Sequence, residues 1–308
     1  MEICIQSGGI INDYGAEAGY KYIADAGFTA IDWNLDDAFK EGDILKEKVL
    51  KDLCIFERSL DEILEYYNEE LTAIRKNNLR ISQAHAPFPA YWPNLPHTLD
   101  YTIEIYKKVI LLCDAVGCKN LVIHGISPRP EDIGMTFERG REMNMRLYES
   151  LIDTLLTTNV TVCHENLFAT VAHKLTEGVC SDPHQAVEYI DTLNAKAGRE
   201  VFALCLDTGH MTILGKRFPL YVPIVNNRIK ALHIHDNDGF FDRHLAPYTG
   251  VTNWEEFISS MKEIGYDGDL SFETFRQTTK SKIGEELLPL FLKHIYNIGE
   301  YFKKKITE

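Results

Sequence analysis

Residues 183–207 read PHQAVEYIDTLNAKAGREVFALCLD. Apolar side chains recur at Ala186, Ile190, Leu193 and Ala197, the three-or-four spacing of one helix face. Gly198 follows, a residue suited to the left-handed turn that stops a helix. FALCLD (202–207) is then a short apolar run ending in an acid, as expected of a strand buried on both faces. The unit is helix, glycine stop, strand.

The unit recurs in both directions. Strands are expected at 2–7 (EICIQS), 29–34 (TAIDWN), 80–85 (RISQAH), 120–125 (NLVIHG), 160–166 (VTVCHEN), 202–207, 229–235 (IKALHIH) and 269–274 (DLSFET). Helical periodicity fills most gaps, at 16–27, 60–78, 99–117, 144–158, 183–198, 253–265 and 286–302. Eight alternations predict an α/β fold of the (β/α)8 TIM barrel type, one domain over residues 1–308. The rival is an open doubly wound sheet. Its nucleotide-binding form is disfavoured, because no G-x-G-x-x-G follows the first strand. The segments 36–60 and 86–96 (APFPAYWPNLP) follow strands and are expected as long loops over the active face.

Composition narrows the class. The 308 residues carry 25% charged side chains and a formal charge of −14, from 46 acids against 32 bases. Nucleic acid is disfavoured as a partner, since duplex binding needs clustered Lys and Arg. The one basic run, KKK (303–305), suits the end of a helix. No apolar run is long enough to span a bilayer, and no secretory signal is read at the N-terminus, so the expected location is cytoplasmic. Seven cysteines without a C-x-x-C pair suit free thiols, with Cys4, Cys163 and Cys205 buried in strands.

In a barrel the C-terminal strand ends meet on one face. Here six successive strands end in a group able to bind a metal or move a proton: His85, His124, Glu165, Asp207, His233 or His235, and Glu273. A lone histidine on an apolar strand is ordinarily a core group; six at corresponding positions point to a site. Three carboxylates and an imidazole suit Mn, Zn, Co or Mg. His164 must face away from Glu165 and reads as structural.

These motifs resemble the xylose isomerase-like barrel superfamily of sugar isomerases and epimerases, which also contains endonuclease IV. The carriers are HEN (164–166), LDTGHM (206–211), HIHDN (233–237), DRHLAPYTGVTNWEEF (242–257) and EIGYDGDLSFET (263–274). The likeness runs nearly the full length and is clearest from 160 to 275. It implies a divalent metal ion held by Glu165, Asp207, His233 and Glu273. His233 fits a motif H-x-x-D-N that begins with the ligand; the register H-x-H-x-x-D would select His235, and the sequence fits both.

The resemblance implies a sugar or sugar phosphate isomerase or epimerase. A proton moves at the carbon next to a carbonyl, through an enediolate, with Glu165 and Glu273 as the catalytic pair. His85, His124, His210, His244 and Arg276 are then candidate substrate contacts, an ordinary salt bridge being the bland reading for Arg276. Trp33 and Trp92 offer either a sugar platform or core and lid packing. The helix carrying Phe291, Ile295 and Phe302 offers a homo-oligomer contact or, more simply, packing on the barrel.

Three other readings stay open. Endonuclease IV uses a wider multi-zinc set, with counterparts here at His85, His124, His210, Asp242 and His244, so that further ions have places to bind. Its surrounding motifs differ, and Glu165 sits in HENLFA rather than before a glycine-rich turn. A metal-dependent sugar-acid dehydratase would reuse the same ligands. A catalytically dead barrel that binds a sugar or a partner protein is opposed by the retention of all four core positions.

Overall fold

Eight short parallel strands form the barrel expected from the alternation: β1 (Ile3–Gln6), β2 (Ala30–Asn34), β3 (Arg80–His85), β4 (Asn120–Ile123), β5 (Thr161–Glu165), β6 (Phe202–Asp207), β7 (Ile229–His233) and β8 (Leu270–Phe272). This is the computed structural model of the chain, and it describes residues 1–36, 54–93, 95, 97–128 and 134–308. The sheet order is β8-β1-β2-β3-β4-β5-β6-β7. Closure between β7 and β8 comes from Ile234 N donating to Ser271 O (2.8 Å) and Glu273 N donating to Ile234 O (3.0 Å).

Alternation along each strand sorts the side chains. One set, including Ile3, Ile5 and Ile31, joins the large core between strands and helices. The other set is small and fills the barrel interior, where Val122, Cys163, Ala203, Cys205 and Ala231 form a separate cluster. That plug closes the barrel below the polar strand ends, as in a packed barrel rather than a pore. All seven cysteines are free thiols.

The helix Pro183–Ala197 begins and ends as its sequence predicts. Asp182 accepts from Gln185 N at 2.9 Å, Pro183 sits in the first turn, and Gly198 stops the helix with φ 67°. Two expected helices are broken: 60–78 divides at Tyr67 into Leu60–Tyr66 and Asn68–Lys76, and 144–158 divides after Glu149. At the second break Ser150 Oγ donates to Arg146 O (2.7 Å), competing with the regular backbone ladder.

Some elements were not expected. A two-stranded antiparallel hairpin, Phe168–Val171 with Lys174–Glu177, rises after β5. Helices Thr208–Ile213 and Phe218–Val225 fill the space between β6 and β7. Among the described residues no helix is long and apolar enough to cross a membrane.

The last helix, Leu288–Thr307, closes the shell. Ile295 and Phe302 on it are fully buried and Phe291 partly so. The Phe302 ring lies 5.3 Å from Trp254, 5.9 Å from Phe257 and 6.2 Å from Phe272, tying the helix to β8 and to its neighbour helix. Replacing Phe302 by Ala is expected to cost about 3–5 kcal/mol of unfolding free energy. Denaturant titration checks this; a negligible change would remove the helix from the stabilising shell.

Candidate functional site

The polar strand ends gather at one mouth. His85 ends β3, His124 follows β4, Glu165 ends β5, Asp207 ends β6, His233 ends β7 and Glu273 follows β8. All but His124 are buried. A cavity of about 680 Å³ opens over them, lined in part by His85, His124, Glu165, His210, Asp242, His244 and Glu273.

The centre of the cluster is His233. Its Nδ1 lies 3.3 Å from Glu165 Oε1, 3.8 Å from Glu273 Oε2 and 4.0 Å from Asp207 Oδ2. His235 lies elsewhere: its Nε2 is 2.9 Å from Asp207 Oδ2 and 3.8 Å from Asp242 Oδ1. Of the two registers left open by the sequence, only His233 faces all three carboxylates.

Local structure fixes these groups. Asp207 caps the helix Thr208–Ile213, its Oδ1 accepting from His210 N at 2.6 Å, which leaves Oδ2 toward the histidines. Asn166 joins the ends of β5 and β6. Its Nδ2 donates to Asp207 O (3.0 Å) and its Oδ1 accepts from Asp207 N (2.7 Å). Thr208 Oγ1 donates to His235 O (2.8 Å) and accepts from His235 N (3.0 Å). Gly209 is required here, since a Cβ would stand 1.9 Å from the His235 ring. Asp236 is wholly structural. It accepts from Gly250 N (2.9 Å), Thr252 N (3.0 Å) and Trp254 Nε1 (3.1 Å), pinning the loop that carries Asp242 and His244.

Two carboxylate–imidazole pairs flank the centre. His124 Nε2 lies 2.9 Å from Glu165 Oε2, and His244 Nδ1 lies 3.3 Å from Glu273 Oε2. Burial raises the Glu165 carboxyl, but His124 and His233 outweigh it and hold it well below the usual range. Burial likewise raises Glu273, and His233 and His244 reverse the shift. Burial opposes charge on His244; Glu273 and Asp242 prevail and push it up to about 10. His85 moves the other way. Burial, then His124 and His233, bring it down to about 4.

The residues fit a divalent cation. Glu165 Oε2 and both nitrogens of His233 are buried without a well-aligned hydrogen bond. Glu165, Asp207 and His233 offer ligand atoms within 4.8 Å of one another. Further groups of the same kind are His85–His124–Glu165, Asp207–His210–His235 and His235–His244–Glu273.

His164 faces away, packed on Tyr148 at 3.8 Å, with burial lowering its pKa to about 3. Arg276 lines the cavity, and among the described residues no acid forms an ion pair with it. Trp33 is core, donating from Nε1 to Glu70 Oε2 (3.0 Å), and Trp92 is buried outside the cavity lining. Part of the segment 86–96 does line the cavity through Phe88, Pro89, Ala90 and Tyr91. Residues 94 and 96, and 37–53 of the segment 36–60, lie outside the described residues.

The site residues that the sequence reading did not single out include three aromatics and an acid. Phe88, Phe168 and Phe275 line the cavity, with ring centroids 4.5 Å from His124, 5.0 Å from His210 and 4.3 Å from His244. The acid is Asp32, fully buried beneath His233. Its sequence signal was an acid inside the apolar run TAIDWN.

The sequence profile of the family described as xylose isomerase-like TIM barrel matches residues 20–294. The uncharacterised protein y4fM of Sinorhizobium fredii is 25% identical over 278 residues, which span 85% of this chain and 82% of that one. Among solved structures, D-allulose 3-epimerase from Methylomonas sp. in complex with D-allulose is similar with TM-score 0.71 at 18% identity, covering 99% of this chain and 96% of that one. The IolI protein with a zinc atom bound gives TM-score 0.69 at 18% identity, covering 99% and 98%. At these identities the structural likeness establishes the barrel fold.

The raised His244 value sets a pH dependence for metal-free protein. A folded value of about 10 exceeds the unfolded value of about 6.5, so the stabilisation is complete below the lower figure and lost as pH rises through the upper one. Unfolding followed across that window is expected to show falling stability. His244→Gln is expected to remove part of the fall; an identical profile in the variant would contradict the assignment.

Proposed function

The chain belongs to the xylose isomerase-like TIM barrel family, and on that premise we propose that it is a divalent-metal-dependent sugar isomerase or epimerase. The observation that carries the reading is the pairing of two buried carboxylates, Glu165 from β5 and Glu273 after β8, each with its own imidazole, around one cavity. That similar structures include an epimerase in complex with its sugar and a protein with zinc bound supports the direction.

Glu165, Asp207, His233 and Glu273 would hold the ion. A divalent cation there supplies Lewis-acid stabilisation of the oxyanion that develops when a carbon beside a carbonyl loses its proton. The protein's own groups do the rest. Both glutamates are held ionised, so each is competent as a base. One takes the proton from carbon to leave an enediolate. The other, on a different strand, serves the opposite face. His244, whose Nδ1 lies 3.3 Å from Glu273 Oε2, would relay a proton to that carboxyl for return to carbon. His85, His124, His210 and Arg276, which line the cavity, would bind substrate oxygens, and Phe88, Phe168 and Phe275 would pack on a sugar face. The cavity of about 680 Å³ suits a small molecule.

A second reading is favoured by one observation. The additional groups His85–His124–Glu165, Asp207–His210–His235 and His235–His244–Glu273 offer more ligand atoms than one ion needs. Several ions would suit a phosphodiesterase of the endonuclease IV kind. The formal charge of −14 weighs against a DNA substrate.

Two experiments test these readings. Glu273→Gln, with metal content measured alongside, is expected to slow proton exchange at the carbon next to the carbonyl of ketoses by ~10²–10⁴-fold. Undiminished exchange would remove Glu273 from the chemistry. Chelation should abolish wild-type exchange and added Mn, Co, Zn or Mg restore it. Elemental analysis finding two or three ions, together with incision of abasic DNA, would transfer the assignment to the second reading.

A further inference from the structure

Beneath the site lies a carboxylate that no step above uses. Asp32 on β2 is fully buried, points into the barrel, and is held by two donors: Gln83 Nε2 at 2.7 Å and Ser271 Oγ at 3.2 Å from its Oδ2. Gln83 Nε2 also donates to Leu232 O (3.1 Å), so the amide is oriented by β7 itself. The same Asp32 oxygen stands 3.2 Å from His233 Nε2, a contact too poorly aligned to be a hydrogen bond; Asp32 Oδ1 has no partner.

The two nitrogens of His233 therefore face different things. Nδ1 faces Glu165, Asp207 and Glu273, while Nε2 faces Asp32. An imidazole that binds a cation through one nitrogen needs its proton on the other, and a carboxylate behind that nitrogen fixes both tautomer and ring orientation. A buried acid with donors on two other strands is costly to keep unless it answers a nearby charge. A neutral Asn would have served as a plain hydrogen-bond acceptor for Gln83 and Ser271.

We propose that Asp32 is a positioning residue for the metal centre: its negative charge, 3.2 Å from Nε2, favours the His233 proton on that nitrogen and so presents Nδ1 to the cation. The inference rests on the metal-dependent reading of the site. It assigns a role to a residue that touches neither substrate nor ion, and it extends the centre to Gln83 and Ser271, which hold Asp32 in place.

The test is a metal titration of the full-length protein against a competing chelator, using Zn²⁺ alone as probe. Asp32→Asn keeps the shape and removes the charge. It is expected to weaken Zn²⁺ binding ~10–100-fold, the usual effect of losing such an outer partner. A merely structural role would lower the melting temperature of metal-free protein and leave the affinity of the folded fraction unchanged; that result overturns the proposal. Wild-type protein that fails to bind Zn²⁺ at all would instead overturn the metal-dependent reading. If Asp32→Asn does not fold, zinc-loaded wild type labelled with ¹⁵N-histidine decides the matter by NMR. A protonated Nε2 on His233 supports the role, and a protonated Nδ1 refutes it.

Discussion

Uncompensated charge at one end of the barrel is the constraint on which the rest depends. Three carboxylates, Glu165, Asp207 and Glu273, surround a single imidazole nitrogen at 3.3–4.0 Å, all of them buried. Among the described residues no Lys or Arg pairs with any of the three. Burying ions costs on the order of several kcal/mol each unless they are paired. In the protein alone the histidines carry the burden, with His124, His233, His235 and His244 all shifted toward the protonated form. A divalent cation would replace those protons and satisfy the same oxygens.

The barrel makes the arrangement affordable. Small side chains, Val122, Cys163, Ala203, Cys205 and Ala231, pack the interior below the site. The motif residues that are not candidate ligands hold the mouth together. Asn166 joins β5 to β6, Thr208 joins β6 to the segment after β7, and Asp236 pins the loop of Asp242 and His244. Charged groups can then face one another because the backbone between them is tied down.

Much of this was legible in the sequence, and what was hidden has identifiable causes. The eight strands could be read because each is a short apolar run, and the helices because their buried faces repeat. The hairpin after β5 carried no such signal, since every residue of Lys174–Glu177 is exposed. The helix Phe218–Val225 was masked by Pro219 and Pro223, and holds because Phe218, Tyr221, Val222 and Val225 are buried. Six polar strand ends marked the site, but spacing alone could not separate His233 from His235; only across strands does His233 Nδ1 face Glu165 and Glu273 while His235 Nε2 faces Asp207 and Asp242. Asp32 was overlooked because its role is visible only across the barrel, where β2 meets β7. Phe168 and Phe275 come from the segments after β5 and β8, whose paths the linear pattern does not give, whereas the segment of Phe88 was expected over the active face without showing which of its side chains lines the cavity.

The most direct measurement is anomalous diffraction from crystals grown with Mn²⁺ or Zn²⁺. The account predicts a strong peak within bonding distance of Glu165, Asp207, Glu273 and the Nδ1 atom of His233. Refined coordinates with those carboxylates turned apart, or a peak bound only at the protein surface, would contradict it.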